Sequence, residues 1–582
     1  MSSTPPDLDD IGPLLRTGTA PARPASAPDL ARRFVLGTRT WTFVVLLGLY
    51  VLPGLVGHEP WKQDETYIAD IVSTMLATRD AVVPRMAGEA FMEKPPLFYW
   101  VAGALATLTS PVLPLADGAR LATGAFVLLA CAAMAQCGRR WADAQFGRTT
   151  VFVLLACFGM AAFSHLMLTD TALLAGIAIG MAGLPRWRTR PGASGLQVGT
   201  GVGIGFLAKG LLAPGVFGLA AVLLPLCFAR WRARAYARTV LVALLAALPW
   251  LTLWPAALWL RSPALFNDWL WTNNIGRFVG FSVPVLGAAH DPGFWAKNLW
   301  WITFPAAPLA LLALWRGRGA WRTDERMQSA AVFAAVVFGV LVAAASARDG
   351  YALPLLPPLA LLGARCALTL APRVEFAWCV GARVLFGGIA AALWLAWAYI
   401  VLTHDPLRLH ALAELLPPHP DRHVDVAALA CALAATAGAA WLMAFYPRRQ
   451  AALQTWVTGI ALCWLLAAAL FMPWADDVKS YREVFGSLQP ALGPGCVASY
   501  GVAESERAML RYYDGIVTER LETQASSACT QILLENPEGR LPHCSDAGSW
   551  QPAWDGARPA DRHEHFWLFR RAPGAARCTD RD

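Results

Sequence analysis

Residues 61–100 read WKQDETYIADIVSTMLATRDAVVPRMAGEAFMEKPPLFYW. This stretch follows directly on the first long apolar run and carries acids, bases, aromatics and a Lys-Pro-Pro. Most of the chain around it is hydrophobic. Of 582 residues, 56% are hydrophobic and 15% charged, and the mean hydropathy is +0.44. Apolar runs of about 18 residues or more recur throughout, the length a helix needs to cross a bilayer. That composition excludes an ordinary soluble protein. The net charge of +8 sits in short loops between apolar runs. Basic residues there mark the cytoplasmic side and not a nucleic-acid surface, so no nucleic-acid partner is expected.

Thirteen spans are predicted, from 41–57 to 452–472. Leu97–Ala116 is a fourteenth candidate, and charge decides against it. If it does not cross, the inner loops hold Arg139 and Arg140, RWRTR at 186–190, ARWRARAYAR at 229–238, RGRGAWRTDER at 316–326 and PRRQ at 447–450. All are basic, as the positive-inside bias requires. The outer side then receives the 58–118 loop, Asp170, the 260–297 loop, Arg348–Tyr351 and the C-terminal residues. Leu97–Ala116 is thus read as an interfacial or re-entrant hairpin, broken at Pro111 and Pro114. Arg32, Arg33 and Arg39 precede the first run, and no secretory h-region lies before Trp41, which predicts a cytoplasmic N-terminus. Residues 1–38, rich in Pro, Ala, Ser and Thr, are expected to be disordered. No internal repeat or inverted half is visible, which weighs against a secondary transporter.

The transmembrane domain is expected to run over 39–474. Beyond it, 475–582 turn polar, with alternating apolar residues and turn signals that predict a small outer α/β domain. Eight of the twelve cysteines lie in or beside apolar runs. The other four, Cys496, Cys529, Cys544 and Cys578, fall in the C-terminal domain, and an even number there suggests two disulfides in an oxidising compartment. Their pairing does not follow from the sequence.

Several side chains are placed to do chemistry. Asp64 and Glu65 stand between Trp61 and Tyr67, ahead of an amphipathic segment (Ile68, Ile71, Val72, Met75, Leu76) that fits an interfacial helix. They are either solvated loop charge or acids held over a cavity mouth. In Glu93-Lys94-Pro95-Pro96 the prolines fix an extended backbone. Lys94 then either binds phosphate as a point charge or snorkels at the boundary. Asp170 lies at the outer mouth of a span, where an acid is costly unless it faces a polar cavity or caps a helix. Lys209 interrupts an apolar run. Arg277 offers a planar fork for phosphate. His290 is a general base, a metal ligand or a plain surface histidine, and Tyr351 closes a pocket or belongs to an aromatic belt. No P-loop, HExxH or closed metal cluster is present, so ATP-driven work and metalloprotease chemistry are unsupported.

Asp64-Glu65 followed by VVPRMAGEAFMEKPPLFYW (82–100) resembles the signature of bacterial glycosyltransferases related to the dolichyl-phosphate-mannose protein mannosyltransferases, of GT-C type. The branch it is most similar to transfers 4-amino-4-deoxy-L-arabinose to lipid A. FLAKG around Lys209, NNIGRF around Arg277, and RDGYALPLLP around Tyr351 share the resemblance, as do Asp170 and His290. It implies a polytopic helical membrane enzyme of the bacterial inner membrane with a periplasmic C-terminal domain. The implied reaction moves a sugar from a polyprenyl phosphate to lipid A, or to another glycan or lipid acceptor, with inversion. Asp64 and Asp170 match the catalytic acids. Lys94 matches a binder of the lipid phosphate, and Arg85, Lys209, Arg277, Tyr351 and Glu65 join it as substrate-binding candidates. Glu93 and His290 match positions that hold a metal in some relatives; no other cofactor is implied. One departure is plain: the family often has Arg-Tyr where this chain has Tyr67-Ile68. Rival readings are transfer of another sugar (mannose, galacturonic acid or glucosamine), a lipid-linked substrate transporter, and a non-catalytic scaffold. A transporter predicts essential charges at mid-membrane.

Overall fold

The computed structural model of the chain describes residues 43–286, 293–403, 416–417, 424–446, 451–524, 527–536, 550–558 and 564–572. The expected disorder of 1–38 falls outside them. The chain forms two units, Met1–Leu47 and Gly48–Asp582. In the first, the described residues 43–47 are helical. The second holds everything discussed below.

Six described helices are long and apolar enough to cross a membrane: Leu115–Trp141, Arg234–Arg261, Glu325–Ala343, Pro372–Thr403, Val426–Ala444 and Ala451–Leu470. The pair Phe294–Thr303 and Ala306–Arg316, bent by 87°, makes a seventh if it counts as one span. Other expected spans coincide with shorter or glycine-rich helices, including Ala144–Ala156, Thr169–Gly183, Pro191–Lys209 and Leu212–Cys227. Length alone does not decide those. The expected hairpin is a 13-residue helix, Leu97–Thr109, followed by a turn at 110–114. At 1.5 Å per residue that helix is about 20 Å long, short of a hydrocarbon core of about 30 Å.

Glycines set the closest helix packing. A Cβ on Gly176 would lie 2.6 Å from the backbone nitrogen of Gly205, and one on Gly201 would collide with the backbone at Gly180. Thr169–Gly183 and Pro191–Lys209 therefore touch backbone to backbone, as small residues allow between membrane helices. Gly199 does the same against Ala243 of Arg234–Arg261. The first pair runs antiparallel. The start of one helix, with Asp170, thus meets the end of the other, with Lys209.

The loop after the first apolar run begins with the helix Asp64–Thr78. Ile68, Ile71 and Val72 are buried, each contributing about 1.5–3 kcal/mol. A two-residue hairpin, β1 (Arg85–Met86) with β2 (Glu89–Ala90), follows. The C-terminal residues build a mixed sheet from β3 (Val497–Tyr500), β4 (Thr518–Arg520), β5 (Gln531–Glu535), β6 (Trp550–Ala557) and β7 (His565–Arg571). Their order is β4-β3-β5-β7-β6. β3 runs parallel to β4 and β5, while β7 is antiparallel to β5 and β6. The helix Glu504–Asp514 makes the crossover that parallel β3 and β4 require. Ile532, Leu533 and Leu534 of β5 are fully buried, as expected of a strand covered on both faces. Cys496 and Cys529 form a disulfide; Cys544 and Cys578 lie outside the described residues.

Candidate active site

Ion pairs join β4 and the crossover helix to the loop that begins at Asp64, and charged residues of that loop meet other segments of chain. Asp64 occupies the first turn of its helix and accepts from Lys94 Nζ at 2.8 Å. Glu93, next to Lys94, accepts from Arg277 Nη2 at 2.7 Å. Asp170, in the first turn of Thr169–Gly183, pairs with Lys209 at the last residue of its helix. Lys209 Nζ also stands 3.6 Å from the centroid of the Tyr351 ring. Gly350 lies against Asp170. Sequence candidates from five distant parts of the chain are thus neighbours.

Local structure explains each placement. Gly210, just past Lys209, has φ +67° and ψ −137°, a conformation open to glycine alone. A Cβ there would collide with Asn274 Oδ1, which accepts instead from the Leu211 amide at 3.2 Å. Asn274 belongs to a π-helical segment, Asp268–Gly276, which delivers Arg277. Such segments recur at functional sites. Tyr351 lies on a 3-10 turn, Asp349–Leu355. Asp170 does not cap its helix; Leu168 holds that position, with no side-chain cap.

The electrostatics bind these pairs into one cluster. Burial pushes Asp64 up, but Lys94, Arg348 and Lys209 outweigh it and hold the carboxyl below its ordinary range. Burial likewise pushes Glu93 up, and Arg277, Lys94 and Arg348 bring it below. Lys94 is depressed by burial yet raised on balance by Asp64, Tyr99, Glu93 and Asp170. Among the described residues, these interactions set three carboxylates (Asp64, Glu93, Asp170) against four cations (Lys94, Lys209, Arg277, Arg348). The surplus positive charge suits one more anion.

Some candidates take other places. Glu65 is buried and its carboxylate faces inward. It accepts from Arg120 Nε at 2.9 Å, the Met167 amide at 3.0 Å and the Trp61 amide at 3.1 Å. It anchors the loop, and both of its oxygens are engaged by the protein. Arg85 lies in β1 and makes no ion pair among the described residues. His290 is outside the described residues. The metal expected at Glu93 does not fit this arrangement, because a carboxylate bound to Arg277 and flanked by Lys94 and Arg348 sits in a field that repels a dication. Two important residues escaped the sequence reading. Arg348, three residues before Tyr351, acts on both Asp64 and Glu93. Arg120, with no exposed surface, clamps the loop. Its signal was the Asp117-Arg120 spacing inside an apolar helix, where a charge needs a partner.

No family model matches the chain. The undecaprenyl phosphate-α-4-amino-4-deoxy-L-arabinose arabinosyl transferase of Pseudomonas paraeruginosa is 28% identical over 457 residues, covering 74% of this chain and 75% of that protein. A protein of the same name from Sodalis glossinidius is 28% identical over 373 residues, covering 59% of this chain and 64% of its own length. Among solved structures, ArnT from Cupriavidus metallidurans bound to undecaprenyl phosphate aligns with a TM-score of 0.65 at 18% identity, covering 93% of this chain and 98% of that one. The chain is a polytopic helical membrane protein with that fold.

Proposed function

We propose that this chain is an inverting membrane glycosyltransferase that moves 4-amino-4-deoxy-L-arabinose from undecaprenyl phosphate to a lipid A phosphate. The observation that carries the proposal is the Asp64–Lys94 pair, set among cations that, over the described residues, outnumber the carboxylates by one. The names of the relatives support the donor. The informative charges stand at helix ends, with Asp170 in a first turn and Lys209 in a last turn. That favours a surface reaction over transport through mid-membrane.

In the proposed reaction the donor phosphate sits among Lys94, Arg277, Lys209 and Arg348. An oxygen of the acceptor phosphate attacks the anomeric carbon from the face opposite the leaving group. The bond from that carbon to the donor phosphate oxygen breaks, and its electron pair stays on the phosphate, giving undecaprenyl phosphate and a glycosylated acceptor. The cations stabilise charge developing on the leaving phosphate. A phosphate acceptor needs little deprotonation, so an ionised Asp64 positions the acceptor and stabilises the oxocarbenium-like carbon; toward a hydroxyl acceptor it serves as base. Asp170 orients Lys209. The N-terminus lies in the cytoplasm, and residues 475–582 form a periplasmic domain.

Proteoliposomes holding the purified enzyme, offered several undecaprenyl-phosphate sugars with lipid A, test this by mass spectrometry of the products. Addition of aminoarabinose is expected. Transfer of a different sugar would replace the donor while keeping the chemistry, and Tyr67 would be the first position to examine. Absence of transfer from every donor by folded enzyme would reject the proposal.

A further inference from the structure

We infer that the C-terminal segment positions the catalytic loop, and that Lys62 is the residue through which it acts. The inference rests on the proposed role of Asp64. Lys62 lies two residues before Asp64 and reaches away from the Asp64–Lys94 pair. Its ammonium bonds Glu506 Oε1 at 2.8 Å and also Glu564. These carboxylates come from the crossover helix and from the residue before β7, more than 440 residues away in sequence. Both are buried. Tyr481 OH lies 2.8 Å from Glu506 and 2.9 Å from Glu564, and Arg558 holds Glu564 at 2.8 Å. The grip on Lys62 is therefore itself fixed.

Neighbouring straps tie the same stretch. Asp476 accepts from Trp61 Nε1 at 2.8 Å and from the Glu59 amide at 2.9 Å. Glu59 accepts from Arg482 and, at 3.0 Å, from Tyr513. Six residues beyond Asp64 on the same helix, Asp70 accepts from Arg511 at 2.6 Å. The start of the Asp64 helix is thus held on one side by Arg120 through Glu65 and on the other by C-terminal carboxylates through Lys62. A ligand role for Lys62 is disfavoured because its charge is already neutralised away from the cluster. Lys62 is a positioning residue. Its loss shifts Asp64 without removing any group that touches substrate, and displacements of about 1 Å cost on the order of 10²-fold in rate.

The test compares wild type, Lys62→Met and Lys62→Arg in the proteoliposome assay, beside amide hydrogen exchange over residues 64–70. Lys62→Met is expected to lower kcat about 10- to 100-fold with the donor KM within about twofold, and to speed exchange in that segment. Lys62→Arg is expected to restore most of the rate, because a guanidinium also bridges two carboxylates. Should Lys62→Met fail to fold, Glu564→Gln weakens the same grip and is expected to speed the same exchange. Unchanged exchange in the folded variant overturns the inference, as does a raised KM at unchanged kcat. If wild type transfers no sugar, the functional proposal fails, and the exchange measurement still judges the positioning role.

Discussion

Replacing Arg120 by Met should unlatch the loop that carries Asp64 from the membrane helices. Arg120 has no exposed surface. It donates to Glu65 at 2.9 Å and Asp117 at 2.7 Å, and to the carbonyls of Leu55, His58 and Glu59 at 3.3, 3.1 and 3.4 Å. Methionine fills much of the volume and supplies none of these bonds. Breaking a buried ion pair from one side costs about 3–5 kcal/mol, because the partner charge stays buried. Glu65 keeps two backbone amide donors and Asp117 keeps the Gly57 amide at 2.9 Å. We therefore expect about 3–4 kcal/mol, which is a factor of several hundred in the folded ratio. Denaturant unfolding of the detergent-solubilised protein, followed by tryptophan fluorescence, reads this directly. Adding Glu65→Gln to Arg120→Met should recover part of the loss, since one of the two stranded charges is gone. A single variant within about 1 kcal/mol of wild type would refute the clamp.

Three further outcomes follow from the geometry. Burial and the neighbouring Glu506 and Glu564 push Glu535 up to about 7; its stabilising proton is fully present below the ordinary carboxylate range and lost as pH rises through 7. Glu535→Gln should accordingly raise the melting temperature more at pH 8 than at pH 5, and an equal change at both would contradict the assignment. The Cys496–Cys529 disulfide closes a separation of 33 residues, so its removal by a Cys→Ala pair should cost roughly 3–4 kcal/mol of stability by loop entropy, read in the same unfolding assay. Arg348→Gln should raise the KM for the lipid-phosphate donor about 10-fold or more, as loss of one charge-assisted contact implies; an unchanged KM would place Arg348 outside the phosphate site.

The sequence exposed what one stretch carries by itself. Asp64 and Lys94 are 30 residues apart in a polar loop amid apolar runs, and they meet. The polar tail after Trp474 likewise predicts a small α/β domain, though not the mixed strand order of its sheet. Pairings that depend on helix packing were hidden. Asp170 and Lys209 join because glycines at 176, 201 and 205 let two helices touch, a pattern visible in the chain but silent about which ends meet. The pairing of Glu93 with Arg277 spans 184 residues, and neither local motif names the other as its partner. Glu65 is a substrate-binding candidate by sequence, but its partner Arg120 lies 55 residues on, inside an apolar helix, and turns its carboxylate inward. The grip on Lys62 joins residues at opposite ends of the chain, and no local pattern forecasts it.

The central claim is that Asp64 acts in sugar transfer from a lipid phosphate. Its most direct test is the proteoliposome rate of Asp64→Asn beside wild type, with binding of the undecaprenyl-phosphate donor measured in parallel. The amide keeps the size of the side chain and removes the charge. We predict a fall in kcat on the order of 10²–10⁴ with donor binding retained. Near-normal transfer by Asp64→Asn would contradict the account.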